Sequence, residues 1–232
     1  MKILLFILTF NASFVFAQGN TRFENLKLII DKEISEIDRL SSQVGYKYDL
    51  LIKKSELYLE KARIIRMIEN EKFFSLPESS QRNINPQTYY VESNSYYLKA
   101  KNECEKLIRE LPNHPTISDA YYVLAFYQKE TGEMRAAENS FQNAINRAYD
   151  NKSKKRYQLA LAETYYYLND FKNANLNYQN NIDYSEKWAG KDLFYLGECY
   201  YKSGDNQNAY IYFNKALELK GQKQYVDVDD SI

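Results

Sequence analysis

Very little in this 232-residue chain can punctuate, crosslink or catalyse. It holds only 7 Gly and 4 Pro, too few for the turn every ten residues or so that an all-β sandwich demands. One His and two Cys cannot build the usual Cys/His structural zinc site. Lys+Arg and Asp+Glu are equal at 31, so no overall field draws the chain to nucleic acid or to an anionic bilayer. After residue 17 no apolar run approaches the ~20 residues of a spanning helix. The sequence lacks G-x-S-x-G, G-x-x-x-x-G-K, G-x-G-x-x-G and H-E-x-x-H, the motifs that would announce a nucleophile, a phosphate cradle or a catalytic metal. What is there is 44% hydrophobic and 27% charged, the composition of a folded chain. Its one excess is aromatic: 23 Tyr and 12 Phe against a single Trp.

The first residues read as an export signal. Lys2 supplies a positive start, Ile3 to Phe10 an apolar stretch, and Val15-Phe16-Ala17 a small-residue cleavage site ending before Gln18. Asn11 and Ser13 interrupt the apolar run, which disfavours a retained anchor. No Cys follows the cleavage site, so a lipoprotein is not expected. The expectation is an exported, periplasmic mature chain with no membrane span. There Cys104 and Cys199 would meet a disulfide-permissive compartment. They lie at helical core positions of separate segments, so two buried free thiols are expected.

The body alternates in the helical period. Phe23, Leu26, Ile30, Ile34, Ile37 and Leu40 recur every three or four residues, predicting a helix over 22–42. A second helix is predicted over 48–74 and a third over 89–111, stopping at Pro112. Between them 75–88 is polar, contains two Pro and is expected to be a loop. No stretch alternates with the strand period.

Three later segments superpose on one another, starting at Tyr121, Gln158 and Leu193. They share Leu124/Leu161/Leu196, then the small residues Ala125/Ala162/Gly197, then a turn at Gly132/Asn169/Gly204. Ala137/Ala174/Ala209 and Phe141/Tyr178/Phe213 follow. Leu124 to Leu161 is 37 residues and Leu161 to Leu196 is 35, a period that marks a repeat architecture. These residues resemble the tetratricopeptide repeat, an antiparallel pair of helices A and B. Leu196, Gly197, Tyr200, Gly204, Ala209, Phe213 and Ala216 carry the best match; Gln128 and Asn181 depart from the pattern in the other units, and the closing Pro is missing from all three.

The resemblance implies an all-α, right-handed solenoid with three units at about 116–150, 153–187 and 189–220. Residues 18–112 would hold a degenerate repeat, 48–74 pairing with 89–111, and helix 22–42 would be an N-terminal cap. A polar tail, 221–232, follows. With no further helix to cover the last unit, that end is expected to dimerise or dock a partner.

In this family the concave groove is lined by set positions of each helix A. Here they are Asp119, Tyr122, Phe126, Lys129 and Glu130; Arg156, Leu159, Glu163, Tyr166 and Tyr167; and Lys191, Phe194, Glu198, Tyr201 and Lys202. The resemblance implies a non-catalytic scaffold of the cell envelope that binds a protein or peptide there, without cofactor or metal. Exposed clustered aromatic rings favour binding surfaces, although the same rings could pack between helices. Members that clamp a peptide's terminal carboxylate use Lys and Asn at places held here by Tyr122, Phe126 and Tyr195, so that clamp is absent. A carbohydrate- or peptidoglycan-binding module using the tyrosines as platforms is the rival reading, and an enzyme with an unrecognised acidic-tyrosine site is the third. His114, in an exposed PNHP turn, has no catalytic partner set beside it. The basic run Lys152 to Arg156 is too short to argue for nucleic acid.

Overall fold

A computed structural model describes residues 23–42, 47–186 and 188–220. The signal segment 1–17 and the tail 221–232 fall outside them. The described residues are helices and their connections, with no strand among them, and none of these helices is long and apolar enough to cross a membrane. The chain divides into two compact units, Met1–Leu107 and Ile108–Ile232.

In the first unit, α1 (23–41), α2 (Lys47–Phe74) and α5 (Val91–Glu110) are the long helices. Ile30, Ile34 and Ile37 of α1 close on Leu57, Ile64 and Ile68 of α2. The pairing is antiparallel, because Lys61 bonds Asp31 while the earlier Lys54 bonds the later Asp38 at 2.6 Å. α5 buries one stripe, Ser93, Tyr97, Ala100, Cys104 and Leu107, the spacing of a single helical face. Arg66 of α2 donates to Ser93 at 2.9 Å and stacks over Tyr90 at 4.2 Å, while buried Glu69 accepts from the Ser93 hydroxyl and amide. The polar stretch 75–88 is not wholly irregular. It holds two single-turn helices, α3 (Glu78–Gln81) and α4 (Pro86–Tyr89). Pro77 stands at the N-cap of the first and Pro86 opens the second, a position where a missing N–H costs nothing.

The second unit contains three helix pairs: α6 (Ile117–Glu130) with α7 (Met134–Asn146), α8 (Asn151–Tyr167) with α9 (Phe171–Asn181), and α10 (Ala189–Lys202) with α11 (Asn206–Lys220). Each helix packs on the next, and α8 also touches α10. The three A-to-B turns share one construction. Gly132, Asn169 and Gly204 have φ of 87°, 59° and 82°, the left-handed region that ends a helix. In each the next amide reaches back five residues: Glu133 to Gln128, Asp170 to Tyr165 and Asp205 to Tyr200. Asp170 and Asp205 then cap the following helix by accepting from the amides of Asn173 and Asn208.

Small residues at the A–B contacts set the closeness of each pair. Ala125, Ala137, Ala162 and Ala174 are wholly buried. At Gly197 even a methyl is too much, because a Cβ there would lie 2.7 Å from the Phe213 ring. Phe141 and Tyr178 fill the space between successive units and are buried, whereas Phe213 is half-open. Cys104 and Cys199 are buried free thiols, and burial pushes both up to about 12, which leaves them unreactive.

Candidate functional site: the face shared by the A helices

Successive turns of α6, α8 and α10 place the predicted groove residues on one face, but most are tied down. Tyr122 is half-buried, packing on Phe126 at 4.8 Å, Tyr157 at 4.7 Å and Phe141 at 5.9 Å. Phe126 meets Phe141 edge-on at 5.4 Å. Phe194 lies against Phe213 at 5.5 Å, and Leu159 packs on the core. These side chains form a floor, their rings lying against the B-helix aromatics Phe141 and Phe213. Tyr166 is intermediate: it stacks edge-on with Tyr195 at 5.1 Å and its hydroxyl donates to Glu198 at 3.3 Å. Tyr167 and Tyr201 remain exposed. Of the aromatic side chains expected on this face, Tyr167 and Tyr201 are thus exposed, while Tyr122, Phe126 and Phe194 are half-buried against neighbouring rings.

The charged residues pair across helices. Asp119 of α6 accepts from Arg156 at 2.9 Å and from the Tyr157 hydroxyl at 2.6 Å, both on α8. Glu163 of α8 lies 3.1 Å from Lys129 of α6 and 3.5 Å from Lys191 of α10. One carboxylate thus joins all three A helices. Burial would raise Glu163, but the two ammonium groups outweigh it and hold the carboxyl below its usual range. Burial also lowers Lys129, with Glu163 opposing. Glu198 receives Lys202 of the same helix at 3.8 Å besides the Tyr166 hydroxyl. Glu130 has contacts of its own.

Two residues that matter here were not on the predicted face. Tyr195 stacks on Tyr166 and Tyr178 and shares a hydroxyl hydrogen bond with Tyr167. Asp192, half-buried one residue beyond Lys191, is raised by burial to about 7, Lys191 opposing and Glu163 adding to the rise. A sequence signal existed for Asp192: its counterparts, Ala120 and Tyr157, are wholly buried, so a carboxylate occupies an inward register.

Among the described residues no group of His, Cys, Asp and Glu is placed to hold a metal. His114 Nδ1 accepts from the Thr116 amide at 3.3 Å, shaping the turn before α6. In the basic run, Lys152 pairs with Glu186 at 3.4 Å and Arg156 with Asp119. The chemistry on offer is that of contact: ring faces, hydroxyls and cations over a packed floor.

A tetratricopeptide repeat family model matches residues 190–222, the unit built by α10 and α11. Among solved structures, the crystal structure of MamA superposes with a TM-score of 0.55 at 18% identity, covering 82% of this chain and 88% of that one. BtubC (BKLC) from P. vanneervenii gives 0.53 at 15% identity, covering 85% and 91%. A putative kinesin light chain of Podosopora anserina with nearly identical TPR-like repeats gives 0.50 at 14%, covering 81% and 97%. At such identities the likeness is one of fold. No curated protein matches the chain.

Proposed function

We propose that the chain, whose residues 190–222 match the tetratricopeptide repeat and whose fold is shared with solved repeat proteins, is a non-catalytic scaffold of the cell envelope that binds a protein partner along the shared face of α6, α8 and α10. The observation that carries the reading is the exposure of Tyr167 and Tyr201 above a floor in which neighbouring rings and charges are already engaged. A rigid floor with a few large, amphipathic side chains standing on it is how a surface gains contact area at low entropic cost. The test is photo-crosslinking in cells with benzoylphenylalanine at position 167 or 201, against position 176 on α9, where Leu176 is also exposed. Crosslinked partners specific to 167 and 201 are expected; equal yields at all three positions would dismiss the groove. Export is supported by the Lys2 to Ala17 signature, and N-terminal sequencing of the fractionated protein, expected to begin at Gln18, tests it.

The scaffold also self-associates through α11 in this reading. Ala144 and Asn181 are buried by the following unit, but their counterpart Ala216 is half-open, and Tyr210 and Leu217 are exposed. The face continues the contact that joins one unit to the next, and a second copy related by a two-fold axis would cover it reciprocally. Leu217→Glu is expected to convert a concentration-dependent dimer into a monomer in light-scattering chromatography; a chain monomeric at all concentrations would remove this part.

A further inference from the structure

We infer that the first unit carries an oxyanion site, at which Lys99 and the hydroxyls of Tyr58 and Tyr96 hold the phosphate group of a phosphate monoester. The inference does not rest on the face of α6, α8 and α10. The site begins with the spacing of α2, where Lys54, Tyr58 and Lys61 recur at four and then three residues and so share one face of the helix. On one side α1 supplies acids: Asp38 bonds Lys54 at 2.6 Å and Asp31 bonds Lys61. On the other, α5 supplies Tyr96 and Lys99. The Tyr58 and Tyr96 rings lie 6.2 Å apart, and the Lys99 ammonium stands over both, 4.3 Å from Tyr96 and 5.8 Å from Tyr58. Lys61 sits 4.4 Å from the Tyr96 ring and Lys54 5.5 Å from that of Tyr58. Three ammonium groups thus surround two rings.

Their charges are not all answered. Lys54 and Lys61 are sheltered, with 12% and 5% of their side chains exposed. Burial opposes their charge, but Asp38 and Asp31, together with the Tyr58 and Tyr96 hydroxyls, outweigh it and hold both lysines protonated. Lys99 is exposed, and among the described residues no carboxylate, Glu103 one turn along α5 included, lies within ion-pair distance of it. Ring contacts alone compensate an exposed cation only weakly. The phenols are unsatisfied in the complementary sense. Lys54 reaches the Tyr58 hydroxyl and Lys61 that of Tyr96, so each oxygen accepts and keeps its own proton to donate. Among the described residues neither hydroxyl donates to a protein acceptor. One ammonium and two hydroxyl protons therefore stand without an acceptor, with two further cations behind them. The negative ring faces turn an anion away, which leaves it the hydroxyl ends. A phosphate monoester presents three acceptor oxygens, one for each donor, whereas a carboxylate presents two.

The test titrates the full chain with inorganic phosphate at low salt and follows the broadening of the phosphorus resonance. Ion pairs open to solvent contribute modestly, so a dissociation constant on the order of 1 mM is expected, weakening as salt screens the site. Lys99→Gln, at an exposed position, should weaken binding about tenfold. Tyr96→Phe, which removes only the hydroxyl, should weaken it about fivefold. Lys106→Gln takes the same charge from another exposed position of α5 and should change nothing. A loss in Lys106→Gln equal to that in Lys99→Gln would show phosphate following net charge, and would overturn the site. So would no broadening at concentrations well above the expected constant, full retention in both Lys99→Gln and Tyr96→Phe, or acetate competing as well as sulfate does. Vesicles separate the sources of the phosphate. Sedimentation with phosphatidylcholine vesicles that contain phosphatidic acid, lost in Lys99→Gln, supports the site and assigns it a lipid headgroup. Phosphate binding without sedimentation supports it with a soluble ester as the ligand.

Discussion

Replacing Asp192 by Asn should stabilise the protein at neutral and alkaline pH, and the size of the gain should depend on pH in a defined way. Asp192 stands in the first turn of α10, where the helix dipole favours an anion, yet burial dominates and raises it from 3.8 to about 7. A carboxyl whose folded pKa exceeds its unfolded value contributes nothing to the pH dependence below about 4, where both states are protonated. As pH rises from about 4 to 7 the unfolded chain gains by ionising and the folded one does not, so stability is lost; above about 7 the loss is constant. Three pKa units correspond to about 4 kcal/mol, and partial exposure to solvent reduces this to about 2 kcal/mol. Asn keeps the shape and removes the charge. Denaturant unfolding of Asp192→Asn and the parent should therefore agree near pH 4 and separate to about 2 kcal/mol by pH 8. The difference curve is the readout, because Glu163, held below its usual range, has the opposite sign: its contribution is lost as pH falls through that lowered pKa. A difference independent of pH would refute the assignment of Asp192 as a buried, reluctantly ionised acid.

Other substitutions test the packing directly. Gly197→Ala puts a methyl 2.7 Å from the Phe213 ring; overpacking of about 1–3 kcal/mol against a helix-propensity gain of about 1 kcal/mol leaves a net loss of about 1 kcal/mol, which Phe213→Leu should relieve. Asn169→Gly releases the left-handed residue at φ 59° and should raise the denaturation midpoint by about 0.5 kcal/mol equivalent, whereas Asn169→Val should lower it by more than 1 kcal/mol, roughly. Glu163→Gln leaves the nearly buried Lys129 without a carboxylate and should cost about 3 kcal/mol. Adding Lys129→Gln should recover more than half of that, measured as a double-mutant cycle.

The repeat register was legible because it is written in residues with few substitutes. Only Gly or Asn suits the left-handed turn at 132, 169 and 204, and only small residues suit 125, 162 and 197. α8 starts at Asn151, two residues before the expected unit boundary at 153, because Asp150 caps it by accepting from the Ser153 amide at 2.7 Å. The division of the groove aromatics into floor and surface was not legible. Whether Tyr122 is open depends on Phe141, nineteen residues away on another helix, and no local pattern carries that distance. The inner donors of the acids were hidden for the same reason: Tyr157 sits in a core register and reaches Asp119 only across the α6–α8 contact. The single-turn helices within 75–88 escaped because four residues are too few for a period to appear.

The open Phe213 has a consequence for how the stack comes apart. Phe141 and Tyr178 are buried and Phe213 is half-open, so among the described pairs α10–α11 seals its B-helix aromatic least, and α11 of an unassociated chain is expected to open at lower cost than α9. Amide exchange should be fastest in α11, slower in α10 and slowest in α8. The same pair bears Lys191, Tyr201 and Lys202. A ligand held by α10 therefore binds only molecules in which α10 and α11 are closed on each other, and its saturation should slow exchange in α11.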